Sequence, residues 1–247
     1  MSCTKKIYNG INKKIDKLEN TISIQSTVID CMINSPVWVE SDEIGFNGQK
    51  HRKKIFKDLI EACNFNMIIE TGAYLGNTTG YMVQTSGLPV HTCELNPLFN
   101  SITRSRLKNF KNITLQNEDS RLFLRNLSIA EKGGTRVFIY LDAHWEHDLP
   151  LAEEIEIICN TWTDFVIMVD DFQVPGDAGY GYDNYGKGKE LSLQTFSEAF
   201  SKHNLLLYFP SLPSEQENGY KRGSVILVKK GTFGELLSHI PSLVKKG

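Results

Sequence analysis

T-R-V-F-I-Y-L-D-A-H-W, Thr135 to Trp145, is the stretch whose reading decides the fold. Val137 to Leu141 is an unbroken apolar run. It is the length of a strand and has no polar position for a solvent face, so it reads as a parallel strand covered on both sides. It ends on Asp142, followed by Ala143 and His144. In open parallel α/β sheets, ligands collect just beyond the carboxyl ends of the strands. An acid and a histidine are therefore delivered where chemistry is done. Phe165 to Val169 repeats the pattern and ends on Asp170 and Asp171.

Working outward, strands and helices alternate. Expected strands are Met67–Thr71, Val90–Glu94, Ile113–Gln116, the Asp142 and Asp170 strands, Leu205–Phe209 and Ser224–Val228. Expected helices are Gln49–Cys63, Asn77–Thr85, Pro97–Phe110, Ser120–Ala130, Leu151–Asn160, residues 189–203 and a short C-terminal one. Pro97 suits a first helical turn, and Asp119 or Ser120 suits a cap. The pattern predicts an α/β fold: a doubly wound, seven-stranded, mostly parallel Rossmann-like sheet. The last two strands, joined by the polar loop Pro210–Arg222, are expected to form an antiparallel terminal hairpin.

Residues 1–48 form an N-terminal helical extension ahead of a domain at 49–247. Ile11, Ile15, Leu18 and Ile22 share one helix face, and the pattern reaches Ile29 only through Gln25. Docking on the chain's own domain and a homo-oligomer built through this helix are both open. The basic run of Gln49–Cys63 reads as a solvated face. Phe172–Lys189, rich in glycine and carrying Tyr180, Tyr182 and Tyr185, is expected to cover a substrate.

The chain of 247 residues is 40% hydrophobic and 23% charged, with a net charge of −2. Nothing in that balance suggests a grip on nucleic acid or an anionic membrane. No apolar run approaches the roughly 18 residues of a membrane span. The five cysteines are scattered without a C-x-x-C pair, against zinc and a disulfide framework. A cytoplasmic protein is the expectation.

Met67–Thr78, M-I-I-E-T-G-A-Y-L-G-N-T, runs from a strand through a glycine turn into a helix. Gly72 permits a tight turn, and Gly76 a close approach of backbone or ligand. A dinucleotide site needs a further glycine against the pyrophosphate, and Ala73 and Tyr74 fill that space. The turn suits a nucleoside ligand without pyrophosphate. Glu94, 22 positions after Gly72, ends the next strand, where an acid can accept ribose hydroxyls.

E-T-G-A-Y-L-G, Glu70 to Gly76, resembles the E/D-x-G-x-x-x-G motif of class I S-adenosylmethionine-dependent methyltransferases. Glu94 matches their ribose acid and Asp119-Ser120 their adenine-side position. The resemblance spans about residues 50–230. It implies that Glu70, Thr71, Gly72, Ala73, Tyr74, Gly76 and Thr78 line the cofactor turn, with Glu70 and Gly72 toward the methionine end. Glu94, Asp119, Ser120 and Asp142 would complete the cofactor site.

Like-charged carboxylates brought together repel unless a cation or protons intervene. Asp142, Asp170 and Asp171 have no basic neighbours in sequence, and hard oxygen ligands favour Mg²⁺. L-D-A-H and V-D-D-F also resemble the metal sites of the macrocin and novobiocin type of O-methyltransferases. Ala143 and His144 depart from the L-D-G-D form of that subset. L-D-A-H-W with V-D-D-F resembles the cephalosporin-hydroxylase-like group as well. The resulting expectation is an O-methyltransferase acting on a hydroxyl of a sugar or other small polar metabolite. Asp142, Asp170 and Asp171 would hold Mg²⁺, and His144 or Asp142 would take the proton; His147 and Asp148 are lesser candidates. The competing readings are a non-catalytic binding protein of the same fold and an NAD-dependent oxidoreductase. An amine acceptor is disfavoured because no N/D-P-P-Y/F pattern follows the Asp142 strand.

Overall fold

The computed structural model describes residues 11–23, 25–26, 44–130, 134–144 and 148–246. Contacts divide the chain into two units, Met1–Ser41 and Asp42–Gly247. In the first, residues 11–23 form helix α1. Ile29 lies outside the described residues.

The second unit is a sheet covered by helices. In chain order it comprises α2 (Lys50–Cys63), β1 (Met67–Thr71), α3 (Asn77–Ser86), β2 (Val90–Cys93), α4 (Pro97–Arg106), β3 (Ile113–Gln116) and α5 (Ser120–Ala130). Then come β4 (Arg136–Leu141), α6 (Leu151–Thr161), β5 (Asp164–Val169), α7 (Leu193–Lys202), β6 (Leu205–Pro210), β7 (Val225–Lys229), α8 (Thr232–Leu237) and β8 (Leu243–Lys245). The strand order is β3-β2-β1-β4-β5-β7-β6-β8. β3 through β5 are parallel neighbours, and β7 runs antiparallel to both β5 and β6. β8 adds an eighth strand, antiparallel to β6. At three residues it is too short to show a period in the sequence.

The central strands are buried on both faces because side chains alternate. Val137, Ile139 and Leu141 of β4 and Phe165, Ile167 and Val169 of β5 pack with residues of α5, α6 and α7. Phe138, Tyr140, Val166 and Met168 face the other way, with residues of α2, α3 and α8. Phe46, fully buried ahead of α2, joins this second cluster, its ring 5.2 Å from that of Tyr140 and 5.6 Å from that of Tyr81.

Two expected helices are shorter in the structure: the one placed at Pro97–Phe110 ends at Arg106, where Leu107 caps it. The helix placed at 189–203 begins at Leu193. Residues ahead of it are held by loop pairing instead: Leu191 is fully buried, its N–H donates to Asp183 O, and its carbonyl accepts from Gln173 N–H. The Phe172–Lys189 segment is likewise anchored. The Tyr180 side chain is buried and its hydroxyl donates to Leu212 O.

Candidate active site

β1 and β4 are hydrogen-bonded neighbours and end at the same level. A Cβ on Gly72 would lie 2.3 Å from the carbonyl oxygen of Asp142, and its φ is +81°. Both facts demand glycine. The bare backbone lets the turn after β1 close against the end of β4. Gly76, at φ +78°, similarly admits Thr103 of α4 and Leu107 just after that helix.

The turn is tied to β2. Gly72 and Ala73 donate to Cys93 O, and Tyr74 N–H donates to Glu94 Oε2 at 2.8 Å. Glu94 Oε1 accepts from Asn96 N–H at 2.7 Å. Glu94 is thus oriented at the end of β2 by backbone amides, which leave its carboxylate some acceptor capacity. Burial raises its pKa. Glu70 is fully enclosed and accepts from the Thr79 and Thr92 hydroxyls at 2.5 and 2.6 Å. Loss of water pushes its carboxyl up to about 7. Thr71 is fully buried, and the Thr78 hydroxyl accepts from Phe46 N–H.

At the end of β3 the picture is less ligand-like. Asp119 Oδ1 accepts from the N–H groups of Arg121 and Leu122, starting α5, and both oxygens bind the Arg121 guanidinium. Those bonds hold its pKa below the ordinary value. Ser120 is buried beside Glu154, whose carboxyl is pushed up to about 7 by its own burial.

Beyond β4 and β5, Asp142, His144 and Asp171 each offer a ligand atom, all within 4.8 Å of one another. One cation with oxygen and nitrogen ligands at about 2.0–2.6 Å spans such a set. His144 is 5% exposed, and its Nε2 has no hydrogen-bond partner among the described residues. It lies 3.8 Å from Asp142 Oδ1 and 3.9 Å from Asp183 Oδ2. A buried nitrogen of this kind fits a cation or a proton donor. Burial lowers the His144 pKa, favouring the neutral ring that can fill either role. The same loss of water, reinforced by Asp170 and Asp171, raises Asp142 well above the carboxylate range. Asp171 is pushed up to about 7 by burial and by Asp170.

The three carboxylates expected together are not the three acidic and basic groups that converge. Asp170 turns inward, and His144 stands in its place. Arg52 of α2 and the Tyr140 hydroxyl both donate to the Asp170 carboxylate, Asn47 Nδ2 adds a bond at 3.1 Å, and Asp171 N–H one at 2.7 Å. The next residue, Asp171, adopts a left-handed φ of 52°, which separates the two side chains. The cluster does have basic partners, from distant segments. Arg52 compensates Asp170, while Arg222, just before β7, donates through Nε to Asp171 Oδ1 at 2.5 Å and also binds Asp183.

Arg52, Asn47, Asp183 and Arg222 were absent from the expected site. Only Arg52 left a trace in the sequence: it lies three, four and seven positions before the apolar Ile55, Phe56 and Leu59, on the stripe that faces the core. Trp145 and His147 lie outside the described residues. Asp148 pairs with Arg121 at 2.8 Å.

No protein-family model matches the sequence, and no curated protein matches it. Solved structures do match in fold. An O-methyltransferase from Bacillus cereus in complex with SAH is 16% identical, with a TM-score of 0.54 over 87% of this chain and 91% of its own. TomG from Streptomyces achromogenes, an O-methyltransferase involved in tomaymycin synthesis solved with SAM, is 17% identical, with a TM-score of 0.52 over 73% of this chain and 80% of its own. The methyltransferase domain of bacterial CtHen1 is 13% identical, with a TM-score of 0.53 over 73% and 98%. At such identities the likeness is one of fold: the chain shares the Rossmann-like fold of these structures.

Proposed function

We propose that this protein transfers a methyl group from S-adenosylmethionine to a hydroxyl of a sugar or similar small polar metabolite, assisted by a divalent cation, Mg²⁺. The observation that carries the proposal is the closure of the Gly72 turn onto the Asp142 backbone. It sets a nucleoside-type turn directly beside the Asp142, His144 and Asp171 cluster.

In this reading Glu94 accepts the ribose hydroxyls with the acceptor capacity left by the backbone amides. The turn from Glu70 to Thr78 surrounds the amino-acid end, and Asp119-Ser120 borders the base. When bound, S-adenosylmethionine supplies a methyl group on a sulfonium, whose in-line displacement depends mainly on positioning. Asp142 and Asp171 would hold the cation, which supplies Lewis acidity to the acceptor hydroxyl. His144, kept neutral by burial, accepts the hydroxyl proton at Nε2. Arg222 fixes the Asp171 carboxylate, and the Arg52–Asp170 pair fixes the backbone beneath it.

Calorimetric titration with S-adenosylhomocysteine, with and without Mg²⁺, tests the reading. Micromolar binding with no affinity for NAD supports it, and a screen of sugar acceptors follows. Absence of binding under every condition refutes it.

A further inference from the structure

Ile11, Ile15, Leu18 and Ile22 lie on one face of α1 and are between 44% and 62% exposed. Single exposed apolar residues are ordinary, but a contiguous stripe marks an interaction surface. The spacings of 4, 3 and 4 put Ile15 and Ile22 at the a positions of a heptad, and Ile11 and Leu18 at d. In the sequence the same spacing continues through Gln25, Ile29 and Met32. The repeat thus reaches the roughly three heptads that separate a coiled coil from an ordinary amphipathic helix. Isoleucine at a with leucine at d favours two parallel strands.

The charges flanking the stripe indicate what covers it. Lys14 stands at a g position and Glu19 at the following e position, and both are exposed. On a helix, charges pair at spacings of three or four. At those spacings Lys14 has Lys17 and no acid, and Glu19 has Asp16 and no base. In a parallel, in-register pair, each g position meets the next e position of the other strand. Lys14 of one protomer therefore meets the partner's Glu19, and symmetry repeats the contact. The next such pair, Thr21 with Ser26, is neutral. An antiparallel pair sets g against g and e against e, so Lys14 and Glu19 would not meet. We infer that α1 pairs with α1 of a second copy of this chain in a parallel two-stranded coiled coil. Burial of the apolar stripe drives the pairing, and the Lys14–Glu19 contacts between strands fix its orientation and register. Nothing in this assembly rests on the methyl-transfer reading.

The test is sedimentation velocity of the whole chain at micromolar concentrations. The wild type sediments as a dimer. Leu18→Lys places a charge in the seam and yields a monomer. Glu19→Lys and Lys14→Glu each turn two attractive contacts into two repulsive ones and weaken the dimer about tenfold or more. The double swap, Lys14→Glu with Glu19→Lys, restores both contacts and returns the dimer to within about threefold of wild type. All of these positions are exposed, where substitutions seldom disturb a fold. A monomeric wild type overturns the proposal, and cosedimentation of that monomer with phosphatidylserine vesicles would assign the stripe to a lipid surface instead. A dimer that survives Leu18→Lys also overturns it, because the copies would then meet elsewhere. So does a dimer equally tight in both single swaps, because Lys14 and Glu19 would then not face each other.

Discussion

Arg52 and Asp170 are 1% and 2% exposed, and their contact is the most enclosed ion pair among the described residues. Arg52 also donates to the carbonyls of Arg222 and Gly223. Arg52→Met would leave the Asp170 carboxylate with Tyr140, Asn47 and one backbone amide but no counter-charge. Asp170→Asn would leave a guanidinium facing two carbonyls. Breaking a buried pair from either side costs about 3–5 kcal/mol, since an uncompensated charge remains. In the double variant no such charge is left, so its cost should be no more than about that of one single change, giving a coupling of roughly 3–5 kcal/mol. Domains of this kind have about 5–15 kcal/mol of stability, so the four proteins should remain measurable by urea unfolding. The double-mutant cycle yields the coupling directly. A coupling below about 0.5 kcal/mol, the usual scatter of independent sites, would refute the reasoning. Asp170 would then be available to a cation, as the Asp-Asp pattern alone suggests.

Gly72→Ala should destabilise the protein by at least about 2 kcal/mol, combining an unfavourable left-handed backbone with overpacking against Asp142; a thermal melt unchanged from wild type would contradict this. Glu70 gives a pH dependence of definite sign. Its carboxyl rises from 4.5 to about 7 on folding, so the stability it contributes is complete below pH 4.5 and is lost as pH climbs through about 7. That change amounts to roughly 3 kcal/mol. Urea midpoints at pH 5 and 8 should converge in Glu70→Gln, and an identical pH slope in the variant would exclude Glu70 as the cause. His144→Gln should retain Mn²⁺ binding by Asp142 and Asp171 within about threefold while cutting methyl transfer by roughly 10²-fold or more. Loss of Mn²⁺ binding in that variant would make His144 a ligand rather than the base.

The order of strands and helices was legible in the chain because burial on both faces removes polar positions from β4 and β5, while amphipathic helices keep their period. The ends of those strands were legible too: Asp142, His144, Asp170 and Asp171 follow immediately on apolar runs, and parallel strands present their carboxyl ends on one edge of a sheet. Gly72 and Glu94 were readable for the same reason, as the terminations of β1 and β2. Which acid faces which partner was not. Asp170 and Asp171 are adjacent in sequence, and only the left-handed turn at Asp171, with Arg52 arriving from 118 positions earlier, sends one inward and the other toward His144. Arg222 and Asp183 reach the site through irregular loops with no periodicity to read. Local sequence determined where the strands end and which reactive groups lie there. Tertiary packing decided which charges are compensated, because ion pairing depends on distances between segments far apart along the chain.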